Sequence, residues 1–158
     1  MPHLPEMHRL GAQAWSCSAE VSQVRSALRT EARHMRKVLV VEDQYVIALD
    51  LSETLARSGV EVLGPVTTLD AASYLLRRHH DIAGAVLDVT LQGHAVYPLA
   101  EALHQRGVPF VLCTGHSRDR IAPAFRDTVL CEKPLPAAKV VLALQAEMAR
   151  LLRKPLAL

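Results

Sequence analysis

Three acidic side chains come directly after short apolar runs that have the character of buried strands. Glu42 and Asp43 follow residues 37–41, and Asp88 ends the β-branched run that begins at Ala85. Apolar runs of this length are typical of strands that are buried on both faces in parallel sheets. In open α/β sheets, ligands gather at the carboxyl ends of the strands. An unpaired buried carboxylate is unfavourable, so the pattern predicts that a cation compensates these charges.

Two later residues complete a group that suits phosphoryl chemistry. Thr114 follows the apolar run 109–113, and Lys133 lies just after the run 128–131. Mg²⁺ prefers oxygen ligands and is commonly held by one or two carboxylates together with phosphate oxygens. We therefore expect the metal, the lysine ammonium and the threonine hydroxyl each to contact one oxygen of a phosphoryl group on Asp88.

The elements that position these residues alternate along the chain. The predicted strands cover residues 37–41, 60–65, 83–87, 109–113 and 128–131. The predicted helices cover about 44–58, 69–79, 95–106, 117–127 and 136–152, the fourth of them stunted because Pro123 interrupts it. This order predicts an α/β fold: a doubly wound, five-stranded parallel sheet in the flavodoxin-like order 2-1-3-4-5. The residues after strands 1, 3, 4 and 5 then meet at one edge.

Composition and charge exclude several classes of protein. The chain has 158 residues and a net charge of +2, and residues 1–36 account for that charge with five arginines against three glutamates (5 − 3 = +2). The balanced remainder gives no nucleic-acid footprint. The apolar runs are too short to cross a membrane. Three cysteines without metal spacing indicate a reduced, cytoplasmic protein.

The chain divides into three predicted parts. Residues 1–35 are predicted to be an N-terminal extension, partly disordered or with a single helix. The extension is expected to be a basic docking helix or a solvated segment, and a third hypothesis is that Met35 is the natural start. Residues 36–153 are predicted to form the domain that carries the site, and residues 154–158 a short tail. The sequence predicts no further domain after the last helix.

Four short motifs lie at the ends of predicted strands, in an order that is typical of one protein family. They are VVED at 40–43, VLD at 86–88 followed by Leu91 and Gly93, CTG at 113–115, and EKP at 132–134. With these motifs the chain from Arg36 to about Leu152 resembles the receiver domain of two-component response regulators. The segments 88–93, 97–100 and 109–115 look like the alphaproteobacterial "FAT GUY" single-domain receivers, although residues 112–117 depart from the Phe-Ala-Thr-Gly-x-Tyr pattern of that group.

The resemblance implies a role for each site residue. Asp88 is implied as the phospho-acceptor, Thr114 as the residue that senses the phosphoryl group, and Lys133 as the residue that neutralises it. A cis peptide is implied between Lys133 and Pro134. The implied Mg²⁺ ligands are the carboxylates of Glu42, Asp43 and Asp88 and the backbone carbonyl of Thr90.

Two positions near the acceptor are predicted to control the phosphoryl lifetime, and one departure affects switching. Thr90 and His116 occupy the places where receivers govern water access to the phospho-aspartate, so we expect them to set the autodephosphorylation rate. Receivers commonly carry an aromatic switch residue three positions before the lysine, and this chain has Leu130 there. The FAT GUY group also lacks that aromatic residue.

The resulting function prediction is a single-domain response regulator in a phosphorelay, with a place in a stress response implied by the FAT GUY resemblance. A sensor histidine kinase or phosphotransfer protein is the expected donor, and the expected downstream contact is the face made by helix 4, strand 5 and helix 5. The resemblance is compatible with a homodimer and implies no turnover enzyme, only autophosphatase activity.

Other functions fit the sequence less well. A pseudo-receiver that binds proteins without phosphorylation stays open as the alternative. A phosphatase of the aspartyl-phosphate kind normally has a second aspartate where Thr90 stands. The chain also lacks the Gly-x-Ser-x-Gly and P-loop motifs. Cys113 and Cys131 are predicted to be core residues rather than redox switches.

Overall fold

The structure is a computed structural model that describes residues 35–153. Apart from Met35, the predicted N-terminal extension lies outside the described residues, and so does the predicted tail at 154–158. The division into extension, domain and tail therefore stays a prediction. None of the helices within 35–153 has both the length and the apolar character needed to cross a membrane.

In the described part of the chain, five parallel strands form the central sheet, in the order β2-β1-β3-β4-β5. The strands are β1 Lys37–Val41, β2 Glu61–Val66, β3 Ile82–Asp88, β4 Phe110–Thr114 and β5 Leu130–Glu132. Every crossover between them is long enough to contain a helix or helical turns, as parallel pairing requires. The predicted flavodoxin-like order 2-1-3-4-5 is confirmed.

Within residues 35–153, four α-helices cover the two faces of the sheet. They are α1 Tyr45–Arg57, α2 Leu69–Arg78, α3 Tyr97–Gln105 and α4 Ala137–Leu152, the last of which is the predicted helix 5. The stunted helix 4 is confirmed, because two 3₁₀ turns, Arg118–Arg120 and Pro123–Phe125, replace it. Pro123 cannot donate a backbone hydrogen bond within a continuous α-helix, which accounts for the break.

The strands alternate their side chains between two hydrophobic clusters. Leu39 and Val41 of β1 face α2, α3 and the 3₁₀ turns, whereas Val38 and Val40 face α1 and α4. All four side chains are fully buried. Burial on both faces explains why the strand segments read as continuous apolar runs rather than as an alternating pattern.

Two local expectations were wrong. Pro65 does not end β2, which continues to Val66; β2 is an edge strand, and an edge strand tolerates a residue without an N–H donor. The helix expected from about residue 95 begins later, because the chain after Asp88 first forms a hairpin of two short strands, Thr90–Leu91 and His94–Ala95. Its turn contains Gln92 and Gly93, both with positive φ. This acceptor hairpin, residues 89–95, delays the start of α3 to Tyr97.

Candidate functional site

The parallel sheet brings the predicted site residues to its carboxyl edge. Asp88 and Thr114 are the last residues of β3 and β4, and Glu42 comes directly after β1. Lys133 comes directly after β5, and its backbone N–H donates to the carbonyl of Thr114 at 2.7 Å. Register pairing in the sheet therefore places all four residues side by side, as the order of the predicted strands requires.

The Lys133 ammonium bridges two buried carboxylates. Its Nζ lies 2.7 Å from Glu42 Oε2 and 2.9 Å from Asp88 Oδ2. Glu42 is only 1% exposed, and this burial raises its pKa although the hydrogen bond from Lys133 acts in the opposite direction. Burial alone lowers the pKa of Lys133, but the hydrogen bonds to the two carboxylates outweigh it and the pKa is raised. Lys133 is thus held as a cation against Glu42 and Asp88.

Asp43 completes a cluster of three carboxylates. Oxygen atoms of Glu42, Asp43 and Asp88 all lie within 4.8 Å of one another. Three negative charges against one lysine leave a formal charge of 3 − 1 = 2 negative units, which a divalent cation balances. Carboxylate oxygens at this spacing are the donor set that Mg²⁺ prefers, so the residues present fit the implied metal.

Backbone amides fix two of these carboxylates. The N–H of Thr90 donates to Asp88 Oδ1 at 3.2 Å, and the N–H of Gln92 donates to Asp43 Oδ2 at 2.8 Å. Both donors belong to the acceptor hairpin. The hairpin therefore joins Asp88, at the end of β3, to Asp43, which follows β1. Sequence reasoning missed this link because any residue type can supply a backbone amide.

Thr114 is placed to donate toward the site. Its side chain is 1% exposed, and its Oγ1 accepts a hydrogen bond from the His116 N–H at 3.0 Å. Because that contact uses the hydroxyl as an acceptor, the hydroxyl proton stays available for an oxygen at the cavity. His116 and Thr90 are exposed and line the same cavity, on its solvent side.

The site opens into a cavity of about 850 Å³. One part is polar and contains the residues described above. The other part lies between α1 and α4 and is lined by apolar groups and by the thiols of Cys113 and Cys131. The peptide between Lys133 and Pro134, both of which line this cavity, is cis. The pairing of the two cysteines could have been found by aligning the predicted strands. The apolar part of the cavity could not, because it depends on how α1 and α4 pack against the sheet.

Similar proteins of known structure are receivers. SdrG from Sphingomonas melonis Fr1 is 36% identical, over 70% of this chain and 97% of its own, with a TM-score of 0.61. A BeF3-activated conformation of SdrG from Pseudomonas melonis Fr1 is 36% identical, over 68% of this chain and 93% of its own, with a TM-score of 0.58. A response regulator receiver protein from Sinorhizobium medicae WSM419 is 22% identical, over 75% and 98% of the two chains, with a TM-score of 0.65. No protein-family model and no curated protein sequence matches the chain.

These likenesses and the site geometry agree. At 36% identity, this chain covers 97% of SdrG from Sphingomonas melonis Fr1. The receiver protein from Sinorhizobium medicae, at 22% identity, has the same fold. Receivers are signalling modules rather than turnover enzymes. The chain therefore belongs to the receiver domain family of two-component response regulators.

Proposed function

We propose that this protein is a response regulator that accepts a phosphoryl group on Asp88 and signals through protein contacts of its receiver domain. The observation that carries the proposal is the Lys133 ammonium held between Glu42 and Asp88 beside Asp43. A structural ion pair needs only one carboxylate for one lysine. Three carboxylates around one lysine leave charge uncompensated, as a site does when it awaits a cation and a phosphoryl group.

The proposed step is an in-line transfer to the Asp88 carboxylate. One carboxylate oxygen attacks the phosphorus, a new oxygen–phosphorus bond forms, and the bond from phosphorus to the donor breaks. With a phosphohistidine donor the leaving group is the imidazole, which takes up a proton; with acetyl phosphate it is acetate. The hydrogen bond from the Thr90 N–H orients Asp88, and Lys133 is close enough to pair with the incoming phosphoryl oxygens.

The proposed Mg²⁺ ligands are Glu42, Asp43, Asp88 and the backbone carbonyl of Thr90. When bound, the ion would neutralise charge on the phosphoryl oxygens. The proposed role of Thr114 is to donate its hydroxyl proton to the third oxygen, since its Oγ1 already accepts from His116. Thr114→Ser keeps this donor and Thr114→Ala removes it, so only the alanine variant should lose the response to phosphorylation.

A protein is the proposed phosphoryl donor. Val46, in the first turn of α1, lines the cavity and is 76% exposed, and the neighbouring Tyr45 is 77% exposed. An apolar rim beside a charged acceptor suits a docked protein better than a small metabolite. Either a histidine kinase or a phosphotransfer protein meets this requirement. The free thiols of Cys113 and Cys131 suit the reducing cytoplasm as the place of action.

The proposed signalling face combines the two 3₁₀ turns, β5 and α4. The 3₁₀ turns and β5 follow Thr114 along the chain, and α4 follows Lys133. A displacement of either residue is therefore transmitted to this face through a short stretch of backbone. Leu142 of α4 is 64% exposed and offers an apolar contact for a partner or for a second copy. The place of this contact in a stress-response relay is the proposal that the FAT GUY resemblance suggests.

Phosphorylation by acetyl phosphate tests the proposal directly. We expect intact mass spectrometry to show one added phosphoryl group that requires both Mg²⁺ and Asp88, with Asp88→Ala as the control. BeF3, which gave an activated conformation of SdrG, should bind under the same conditions. No adduct from acetyl phosphate or from any candidate kinase would identify the chain as a pseudo-receiver, the second candidate function.

The lifetime of the adduct tests the two proposed modulators. Thr90 and His116 line the cavity on its exposed side, where water must enter to hydrolyse the acyl phosphate. His116→Ala and Thr90→Ala should change the decay rate of phosphorylated Asp88 without preventing its formation. An unchanged decay rate in both variants would remove them from the proposed autophosphatase reaction.

A further inference from the structure

Cys113 and Cys131 are direct neighbours in the sheet. They form a register pair between the parallel strands β4 and β5, and both side chains belong to the cluster between the sheet and helices α1 and α4. Both thiols are free, and the two residues are only 3% and 4% exposed. The sequence predicted core residues at the ends of neighbouring buried strands rather than redox switches, and their direct pairing appears only when the register of the strands is known.

The spacing of this pair is compatible with a disulfide. Neighbouring strands lie about 4.8 Å apart. Disulfide-linked residues have Cα atoms about 4.4–6.8 Å apart. The Cβ atoms must approach to about 4.5 Å or less, which requires a small shift of one strand toward the other. β5 can make this shift because it is three residues long and lies at the edge of the sheet.

The pair also has an accessible route and a reactive partner. Both cysteines line the 850 Å³ cavity that opens at Asp88, so a small oxidant reaches them without unfolding of the domain. Cys113 is the register neighbour of Cys131, and its thiol lowers the pKa of Cys131 although burial acts in the opposite direction. A thiol with a lowered pKa is the better nucleophile toward peroxide, and the second thiol, on the adjacent strand, resolves the product.

We propose that Cys113 and Cys131 form an oxidation site for hydrogen peroxide, and that the resulting disulfide slows phosphorylation of Asp88. Cys131 first attacks peroxide, which gives a sulfenic acid and one water molecule. Cys113 then attacks the sulfenic sulfur, which forms the disulfide and releases a second water molecule. The two thiols lose two electrons and two protons in total, and one peroxide is reduced to two waters.

The effect on phosphorylation follows from chain connectivity and rests on the proposed function. Cys113 immediately precedes Thr114, and Cys131 lies two residues before Lys133. A shift of β5 toward β4 moves the Lys133 ammonium relative to Asp88 Oδ2, from which it is now 2.9 Å away. Misplacement of a catalytic group by about 1 Å costs up to about a hundredfold in rate, so a smaller shift should slow phosphorylation about tenfold.

The test uses the full chain with Cys17→Ser, which leaves Cys113 and Cys131 as its only thiols. After peroxide treatment, intact mass spectrometry should show loss of two hydrogen atoms per chain, reversible by dithiothreitol, and peptide mapping should join Cys113 to Cys131. The matched control is Cys113→Ala, which introduces the alanine of the Phe-Ala-Thr-Gly pattern and should not lose hydrogen. Two alkylatable thiols after treatment, or added oxygen on one cysteine only, would overturn the proposal.

The second arm compares acetyl phosphate reaction rates of the reduced and oxidised protein. A rate about tenfold lower after oxidation, restored by dithiothreitol and absent in Cys113→Ala, is the expected result. A disulfide that leaves the rate unchanged would overturn the link to Asp88. Absence of phosphorylation in the reduced protein would instead refute the proposed function, while the mass measurement would still decide whether the disulfide forms.

Discussion

The rings of Tyr97 and Phe125 stack with centroids 5.2 Å apart and planes 7° from parallel. Tyr97 opens α3, directly after the acceptor hairpin, and Phe125 ends the second 3₁₀ turn. The Tyr97 hydroxyl also accepts a hydrogen bond from the Ala122 N–H at 3.0 Å. The pair thus joins the segment after Asp88 to the segment after Thr114, in a domain where Leu130 occupies the usual place of the aromatic switch.

Tyr97→Phe should loosen the 3₁₀ segment without affecting phosphorylation chemistry. The variant keeps the ring stack and removes only the acceptor of the Ala122 N–H, so the domain should lose about 1 kcal/mol of unfolding free energy. Amide exchange at residues 118–126 should become faster. The rate of Asp88 phosphorylation by acetyl phosphate should stay unchanged, because Tyr97 contacts none of the site residues through its hydroxyl.

Tyr74→Phe is the matched control for this loss. Tyr74 of α2 is 56% exposed and removal of its hydroxyl should alter neither stability nor exchange at the 3₁₀ turns. Equal exchange in Tyr97→Phe and the unmodified protein would mean that the hydroxyl does not hold this segment.

Lys133→Met should destabilise the metal-free domain at neutral pH. It removes the cation between Glu42, which is 1% exposed, and Asp88, and leaves both carboxylates without their partner. The cost should be about 2 kcal/mol, below the range for a fully buried pair because the lysine side chain is partly exposed. Urea unfolding with a chelator present measures it, and Lys139→Met on the exposed side of α4 is the control.

The Lys133→Met penalty should shrink as the pH falls. Burial already raises the pKa of Glu42, and the variant loses the hydrogen bond from Lys133 that lowers it. A folded-state pKa raised further above the unfolded value means that the folded variant binds more protons, so its stability relative to the unmodified protein increases on acidification. A penalty that stays constant from neutral to mildly acidic pH would contradict this origin.

The main features of the fold and site were predictable because they depend on local patterns. The apolar run before Asp88 indicates a strand buried on both faces, and alternation of strands and helices implies parallel pairing and one shared edge. That edge is where Glu42, Asp88, Thr114 and Lys133 meet.

The features that were not predicted depend on backbone geometry or on distant packing. The acceptor hairpin depends on the positive φ of Gln92, which no residue type requires. The extension of β2 past Pro65 depends on its edge position, which is known only when the strand order is known. The contact of Cys113 with Cys131 likewise depends on register.

Tyr45→Ala should slow phosphorylation by a protein donor and leave phosphorylation by acetyl phosphate unchanged. Tyr45 is 77% exposed in the first turn of α1, next to the mouth of the cavity, so it contacts a docked donor but not a small one. Loss of an aromatic interface contact commonly costs about 1–2 kcal/mol, or roughly tenfold in transfer efficiency. Tyr74→Ala on α2 is the matched control, and an equal effect of both variants would exclude docking at α1.

Gly64→Ala should destabilise the domain far more than Gly59→Ala. Both glycines have positive φ, +103° and +85°, so alanine is strained at each by about 1 kcal/mol or more. At Gly59 the added Cβ meets nothing within 4 Å, whereas at Gly64 it would lie 2.8 Å from the Val40 carbonyl oxygen and 2.8 Å from the Val66 N.

Backbone atoms cannot rotate away from a new methyl group as a side chain does. The clash at Gly64 should therefore separate β2 from β1 and add about 2 kcal/mol to the loss at this position. Urea unfolding of the two variants measures the difference. Because the Glu42 N–H donates to the Val66 carbonyl at 3.0 Å, the same variant should displace Glu42 and raise the Mg²⁺ concentration that Asp88 phosphorylation requires. Equal stability of the two variants would show that β2 can move away from β1 without loss of unfolding free energy. Glu42 would then be positioned only by Lys133 and the Gln44 amide.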